Sequence, residues 1–169
     1  MDDSELRRLI EVAYPRLVAG LTLISGSRAA AEDVVQEALA RWWEHTARGR
    51  TIENPEAWMT TVAMNLARSR RRRILAERRA RDRMPPGDPP TPPGPDAVDL
   101  RRALSGLPRR EREAVVLHYY FDLPVSAVAD LQRVAEGTVK TSLHRARKSL
   151  ARSLGEPQWA DEEVEHERR

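Results

Sequence analysis

The chain has 169 residues, 40% hydrophobic and 33% charged, with a net charge of +3, a length that suits one medium domain or two small ones. It has no cysteine, and His45, His118, His144 and His166 are scattered, which argues against disulfides, thiolate chemistry, cofactors and metal sites. The opening MDDSELRRLIEVAY lacks the basic-then-apolar order of a signal peptide, and no run of 18 apolar residues occurs, so a cytoplasmic protein without membrane insertion is expected.

In chain order, Leu6, Leu9, Ile10, Leu17, Val18, Leu21 and Ile24 recur at helical steps, with Pro15 as an interruption and Gly26 as a stop. A second helix starts near Ser27, carries Val35, Ala38, Leu39 and Trp42 on one face, and ends by Gly49. After the loop HTARGRTIE, a third begins with Asn54 as N-cap, Pro55 at the first helical position and Glu56 in the first turn. Its predicted apolar face is Trp58, Val62 and Leu66, so Trp42 and Trp58 are assigned to the core and Trp43 lies off the stripe. Tyr14 is placed in the core as well.

From Arg68 to Arg83 nine arginines face two acids, a local charge of +7 that points to a polyanionic partner. Residues 70–73 are all arginine and cover every side of a helix, so some of them must face whatever lies beside it, and nucleic-acid contact is favoured over a solvated helix end steadied by the helix dipole. The next segment, MPPGDPPTPPGPD (84–96), holds seven of the twelve prolines and reads as an extended spacer. Beyond it, Asp99 is predicted to cap a helix running through Leu107, Pro108 opens another through about Tyr120, and Pro124 a third through Leu131. No alternating strand pattern occurs, and the fold class is all-α: two small helical domains joined by a Pro-rich linker. The boundaries are 1–83, linker 84–98, 99–155 and an acidic tail 156–169 of local charge −4.

The last helix, from about Ala135, is the most informative. With Val139 at zero on a helical wheel, Leu143, Ala146 and Leu150 fall within about 40° of it. Lys140, Thr141, His144, Arg145 and Lys148 fall on the opposite face. A helix of this kind docks by its stripe and offers cations and hydrogen-bonding groups to a DNA groove, as in a helix-turn-helix. Nothing in the chain assembles a catalytic site, and the protein is not expected to be an enzyme. Asp33 and Glu37 share a helix face at i, i+4, open to three readings: a solvated acidic face, general acid–base chemistry, or a docking surface for a basic partner.

The chain resembles the extracytoplasmic-function (ECF) sigma factors of the sigma-70 family, and more narrowly the short actinobacterial members, over about residues 4–155. AEDVVQEALARWW (31–43) is similar to the family's polymerase-docking helix, with Asp33 and Gln36 at its Asp-x-x-Gln core. NPEAWMTTVAMNLARSRRRR (54–73) is similar to the promoter −10 segment, and residues 107–150 to the −35 reader, where Gly137-Thr138-Val139-Lys140 with Arg145-Ala146 is the most specific signature. The resemblance implies a sigma region 2 bundle, a region 4 helix-turn-helix, and binding to core RNA polymerase (beta-prime clamp and beta flap), to promoter DNA and, in some members, to an anti-sigma factor. It implies polymerase contacts by Asp33, Gln36, Glu37, Leu39 and Trp43. DNA contacts are implied at the −10 element for Asn65, Arg68, Arg70, Arg71, Arg72 and Arg73. At the −35 element they are implied for Thr138, Lys140, Thr141, His144, Arg145 and Lys148. The family also captures an unstacked −10 base beside the loop that here runs from His45 to Asn54.

Departures from the family pattern fall mainly in the helix-turn-helix. Pro124 stands where Ser often caps, Ala135 where Ser usually does, and Met64 and Ser69 where Arg and Asp are common. Arg133 occupies the turn position usually held by Gly, so the turn either needs no left-handed residue or is strained. The alternative function is a stand-alone regulator with a LuxR-type helix-turn-helix, whose N-terminal unit would be a ligand or dimer domain. A recombinase or nuclease would need a nucleophile or metal-binding acids in the first unit, where Tyr14 is the only tyrosine.

Overall fold

A computed structural model describes residue 7 and residues 9–81 and 95–154. Leu6, most of the proline-rich linker and the acidic tail lie outside these residues. Among the described residues every regular element is helical. The chain divides into two compact units, residues 1–91 and 92–169.

The first unit opens with a π-helical turn, Leu9–Ala13, that passes into α1, Tyr14–Ser25. Pro15 explains the change of winding, since it has no N–H to continue an α-helical ladder through that point. Gly26 ends α1 at φ 77° and returns its N–H to the Thr22 carbonyl at 2.8 Å, a conformation that glycine adopts without strain. Ser27 caps α2, Arg28–Ala47, by accepting from the Ala30 N–H at 3.3 Å. Asn54 caps α3, Pro55–Arg81, accepting from the Ala57 N–H at 3.0 Å, a cap worth about 1 kcal/mol.

Leu17, Leu21, Val35, Ala38, Trp42, Met59, Ala63 and Met64 are buried where α1, α2 and α3 meet. The α3 stripe is therefore 59–63–66, not the predicted Trp58, Val62 and Leu66; Trp58 and Val62 are half-buried. Both triplets satisfy a helical period, and the small Ala63 on the observed face allows the neighbouring helices to approach. Ile10 is 48% exposed and Tyr14 half-buried, so neither joins the core as predicted.

In the second unit, α4 is Pro95–Gly106, α5 is Arg109–Val115, and a π-helical turn Val116–Tyr120 extends α5. Helix α4 begins inside the predicted linker, and Asp99 lies within it, paired with Arg102 at i, i+3 instead of capping. Pro108 and Pro124 stand at the N-caps of α5 and α6, Val125–Gln132, as their fixed φ favours. Glu113 is buried and ion-paired with Arg109 one turn earlier. Helix α7, Glu136–Leu154, packs on α4, α5 and α6.

The α6–α7 turn resolves the question raised by Arg133. It is left-handed, φ 53° and ψ 51°, with its N–H on the Asp130 carbonyl and the Val134 N–H on the Ala129 carbonyl, both at 3.1 Å. This is a Schellman ending built without glycine, and a non-glycine residue there costs about 1 kcal/mol. The turn is strained.

Candidate functional site

The exposed side of α2 gathers four of its five singled-out residues. Asp33, Gln36, Glu37 and Trp43 fall within about 120° of arc, opposite the buried Ala31, Val35, Ala38 and Trp42. Trp43 is 47% exposed, a large ring on the surface, while Leu39 is half-buried at the edge of the face. Gln36 donates from Nε2 to the Tyr14 hydroxyl at 3.5 Å, the limit of a hydrogen bond. Glu37 accepts from Arg41 at 2.6 Å through Oε1.

The other Glu37 oxygen meets a residue of the arginine run. Arg70 Nη2 lies 3.1 Å from Glu37 Oε2, and Arg70 Nη1 lies 3.4 Å from Asp33 Oδ2. On the α3 wheel, position 70 continues the buried 59–63–66 stripe, so its side chain points at α2. Arg71, Arg72 and Arg73 are exposed, and Arg73 makes a long 3.6 Å pair with Glu77. Asn65 is exposed and Arg68 half-buried on the side away from the stripe, together with Arg72. The six −10 candidates are thus divided: Arg70 is turned inward on the acid pair, while Asn65, Arg68 and Arg72 share an outer strip.

At the other end of α2 the His45 ring lies 5.6 Å from Trp58, tilted by 39°. This pair borders the 45–54 loop. Arg16 reaches Glu56 at 2.6 Å, tying α1 to the start of α3. Sequence periodicity gave no sign of the Arg70, Gln36–Tyr14 or Arg16–Glu56 contacts, which join residues 22 to 40 positions apart.

Helix α7 divides as predicted. Val139, Leu143 and Ala146 are buried at 0, 5 and 0% exposure, with Leu150 half-buried at the end of the stripe. Thr138, Lys140, Thr141, His144, Arg145 and Lys148 are all exposed. The Thr141 hydroxyl donates to the Gly137 carbonyl at 2.8 Å. A Cβ built on Gly137 would meet nothing within 4 Å, so packing inside this protein does not require glycine there. A bare first turn favours close approach by a partner's backbone. Among the described residues no group of His, Cys, Asp or Glu is placed to hold a metal, and no helix is long and apolar enough to cross a membrane.

These two faces coincide with known family regions. The model for sigma-70 region 2 matches residues 9–78, and that for sigma-70 region 4 matches residues 97–150. The ECF RNA polymerase sigma factor SigL of Mycobacterium tuberculosis is 35% identical over 147 residues, covering 79% of each chain. This chain belongs to the ECF sigma factors of the sigma-70 family. The sigma factor EcfG of Rhodopseudomonas palustris is 32% identical over 155 residues, covering 89% of this chain and 86% of its own. In fold, the sigma factor matches RpoE of Bartonella quintana, solved in complex with the anti-sigma factor NepR. That match has a TM-score of 0.71 at 26% identity and covers 91% of this chain and 98% of RpoE. The protein is thus a promoter-directing subunit of RNA polymerase. Region 2 occupies the part of the chain that a LuxR-type regulator would give to a ligand or dimer domain, so that alternative is not favoured. Sigma factors in general regulate transcription without an enzymatic step.

Proposed function

We propose that this sigma factor works in the cytoplasm without catalysis of its own, through three surfaces. Residues 1–83 form region 2, 84–98 the linker, into whose end α4 extends, and 99–155 region 4. The α2 face of Asp33, Gln36, Glu37, Leu39 and Trp43 docks on the polymerase beta-prime clamp, and region 4 reaches the beta flap. An exposed tryptophan beside carboxylates suits a basic partner with an apolar contact.

The outer strip of α3 holds the displaced −10 strand. Flipping a base costs a few kcal/mol, and contacts made only with the open strand must offset that. Asn65 offers amide hydrogen bonds, the arginines attract phosphates, and the 45–54 loop with His45 and Trp58 borders the unstacked base. Helix α7 reads the −35 duplex from the major groove. The linker lets both readers engage one promoter, raising the effective concentration of the second contact. An anti-sigma factor is a further partner, as for RpoE of Bartonella quintana.

The observation that carries this reading is α7: Val139, Leu143 and Ala146 buried inside the unit, with six polar or cationic side chains left outside. Reconstitution with core polymerase tests the whole assignment. Asp33→Ala with Gln36→Ala should weaken co-purification with core while helix content stays the same. Core binding equal to the parent's removes α2 as the docking face.

A further inference from the structure

Between α4 and α7 the second unit holds an open cleft of about 540 Å³. Ala103 and Gly106 line it from α4, Ser149 and Ser153 from α7, and two arginines, Arg102 and Arg152, outnumber its one carboxylate, Asp99. A Cβ built on Gly106 would meet nothing within 4 Å, so the α4 side is bare. We propose that residues 155–169 fold back from the end of α7 onto this cleft, seat Trp159 between the two helices and lay their acids over the arginines, in competition with the −35 duplex. The competition rests on the reading of α7 as the −35 helix; the contact itself does not.

Reach, charge and apolar surface point to this occupant. The segment continues from Leu154, and an extended chain carries Trp159 up to about 17 Å from there, while Ser149 lies only about 7.5 Å back along the helix. It holds six acids against two arginines, and Trp159 is its only tryptophan. Arg102 pairs with Asp99, but Arg152 is exposed and donates to neutral acceptors, the Lys148 carbonyl and the Ser149 hydroxyl, both at 3.3 Å. A carboxylate there replaces a neutral hydrogen bond with a charge-assisted one. The inner stripes of the two helices also outrun their cover. Leu100, one turn before the buried Leu104, and Leu154, on the line of Leu143 and Leu150, are each 45% exposed. An indole supplies the apolar area that acids lack. Residues 84–94, which precede α4, suit the cleft less, since they carry one acid, Asp88, and no aromatic ring. On the α7 wheel Arg152 falls within about 40° of Lys148 and Arg145. Acids held at the cleft therefore stand beside two of the six outward side chains.

The full chain has no cysteine, so one introduced pair reports this contact alone. With Gly106→Cys and Ala160→Cys, a mild oxidant should close an intramolecular disulfide, which needs the two Cα atoms within about 7 Å. Trp159→Ala removes the seat while the segment keeps all its acids. A segment seated about nine-tenths of the time leaves one molecule in ten free, so this change should slow closure and raise affinity for a −35 duplex, by up to about tenfold. Closure at the same rate with and without Trp159 overturns the contact, since chance encounter then accounts for it. Closure that depends on Trp159 without a rise in duplex affinity overturns the competition. Should Gly106→Cys lose helix content, Ser149→Cys takes its place on the α7 wall, with the same outcomes. Arg145→Ala with Lys148→Ala is read separately: unchanged −35 binding removes the duplex reading of α7, whatever the cross-link shows.

Discussion

Helices α3 and α7 both carry dense positive charge, but they distribute it differently. On α7 the six singled-out side chains all face outward, because a strict stripe of Val139, Leu143 and Ala146 claims the inner face. On α3 the run from Arg70 to Arg73 is longer than one face, so helical geometry forces part of it inward. Arg70 takes the stripe position after Leu66 and meets acids there. Separation of charge from packing leaves α7 with an exposed cationic and polar face, as the duplex-reading role proposed for it requires. Mixing them leaves α3 with an arginine paired to the acids of α2.

The largest effect should come from spoiling the α7 stripe. Val139→Asp places a carboxylate at a position with 0% exposure, and a loss above about 4 kcal/mol is expected. Hydrogen exchange should show α5 to α7 losing protection while α1 to α3 keep theirs. Lys140→Ala, on the opposite face, should leave protection intact. Equal loss from both would mean that α7 is not divided into a docked and a free face.

Arg145→Ala comes next. A base-reading Arg145 should lose about 1–3 kcal/mol and relax discrimination at a single −35 position. Binding to a panel of single-base −35 variants distinguishes this from a phosphate clamp, which would weaken every variant alike. Its place opposite the docked stripe favours base reading.

Gly137→Ala should separate stability from function on the same helix. With open space around the new Cβ and no positive φ, alanine should stabilise the helix by up to about 1 kcal/mol. Promoter binding should nonetheless weaken, because the added methyl group stands where DNA backbone would approach. A variant that melts higher and binds as well as the parent would show that the bare turn serves no partner.

The sequence revealed α7 nearly in full, because a heptad stripe against an uninterrupted polar face has one solution. Asn54 and Gly26 were equally clear, since a side-chain cap and a left-handed stop are local chemistry. Trp58 and Arg70 were not. The 58–62–66 and 59–63–66 triplets obey the same period, and only the tertiary fit of Ala63 and Met59 against neighbouring helices decides between them. Once that choice fixes the rotation of α3, Arg70 must point at α2, a consequence that periodicity alone could not supply. Arg133 marks a different limit: the left-handed turn forms despite the missing glycine, because the docking of α6 and α7 outweighs about 1 kcal/mol of backbone strain. Asp99 had good capping chemistry, but Pro95 starts α4 one turn earlier and leaves Asp99 inside the helix, paired with Arg102.

The contrast between inward and outward arginines is tested most directly by comparing Arg70→Ala and Arg72→Ala. Binding of each free full-length variant to single-stranded −10 DNA is measured across a salt series. Removing Arg72 should lower the slope by about 0.7, the value of one phosphate contact on a single strand, while removing Arg70 should leave it unchanged. Equal flattening by the two substitutions, or flattening by Arg70→Ala alone, would contradict the account, because Arg70 would then contact the strand despite its pairing with Asp33 and Glu37.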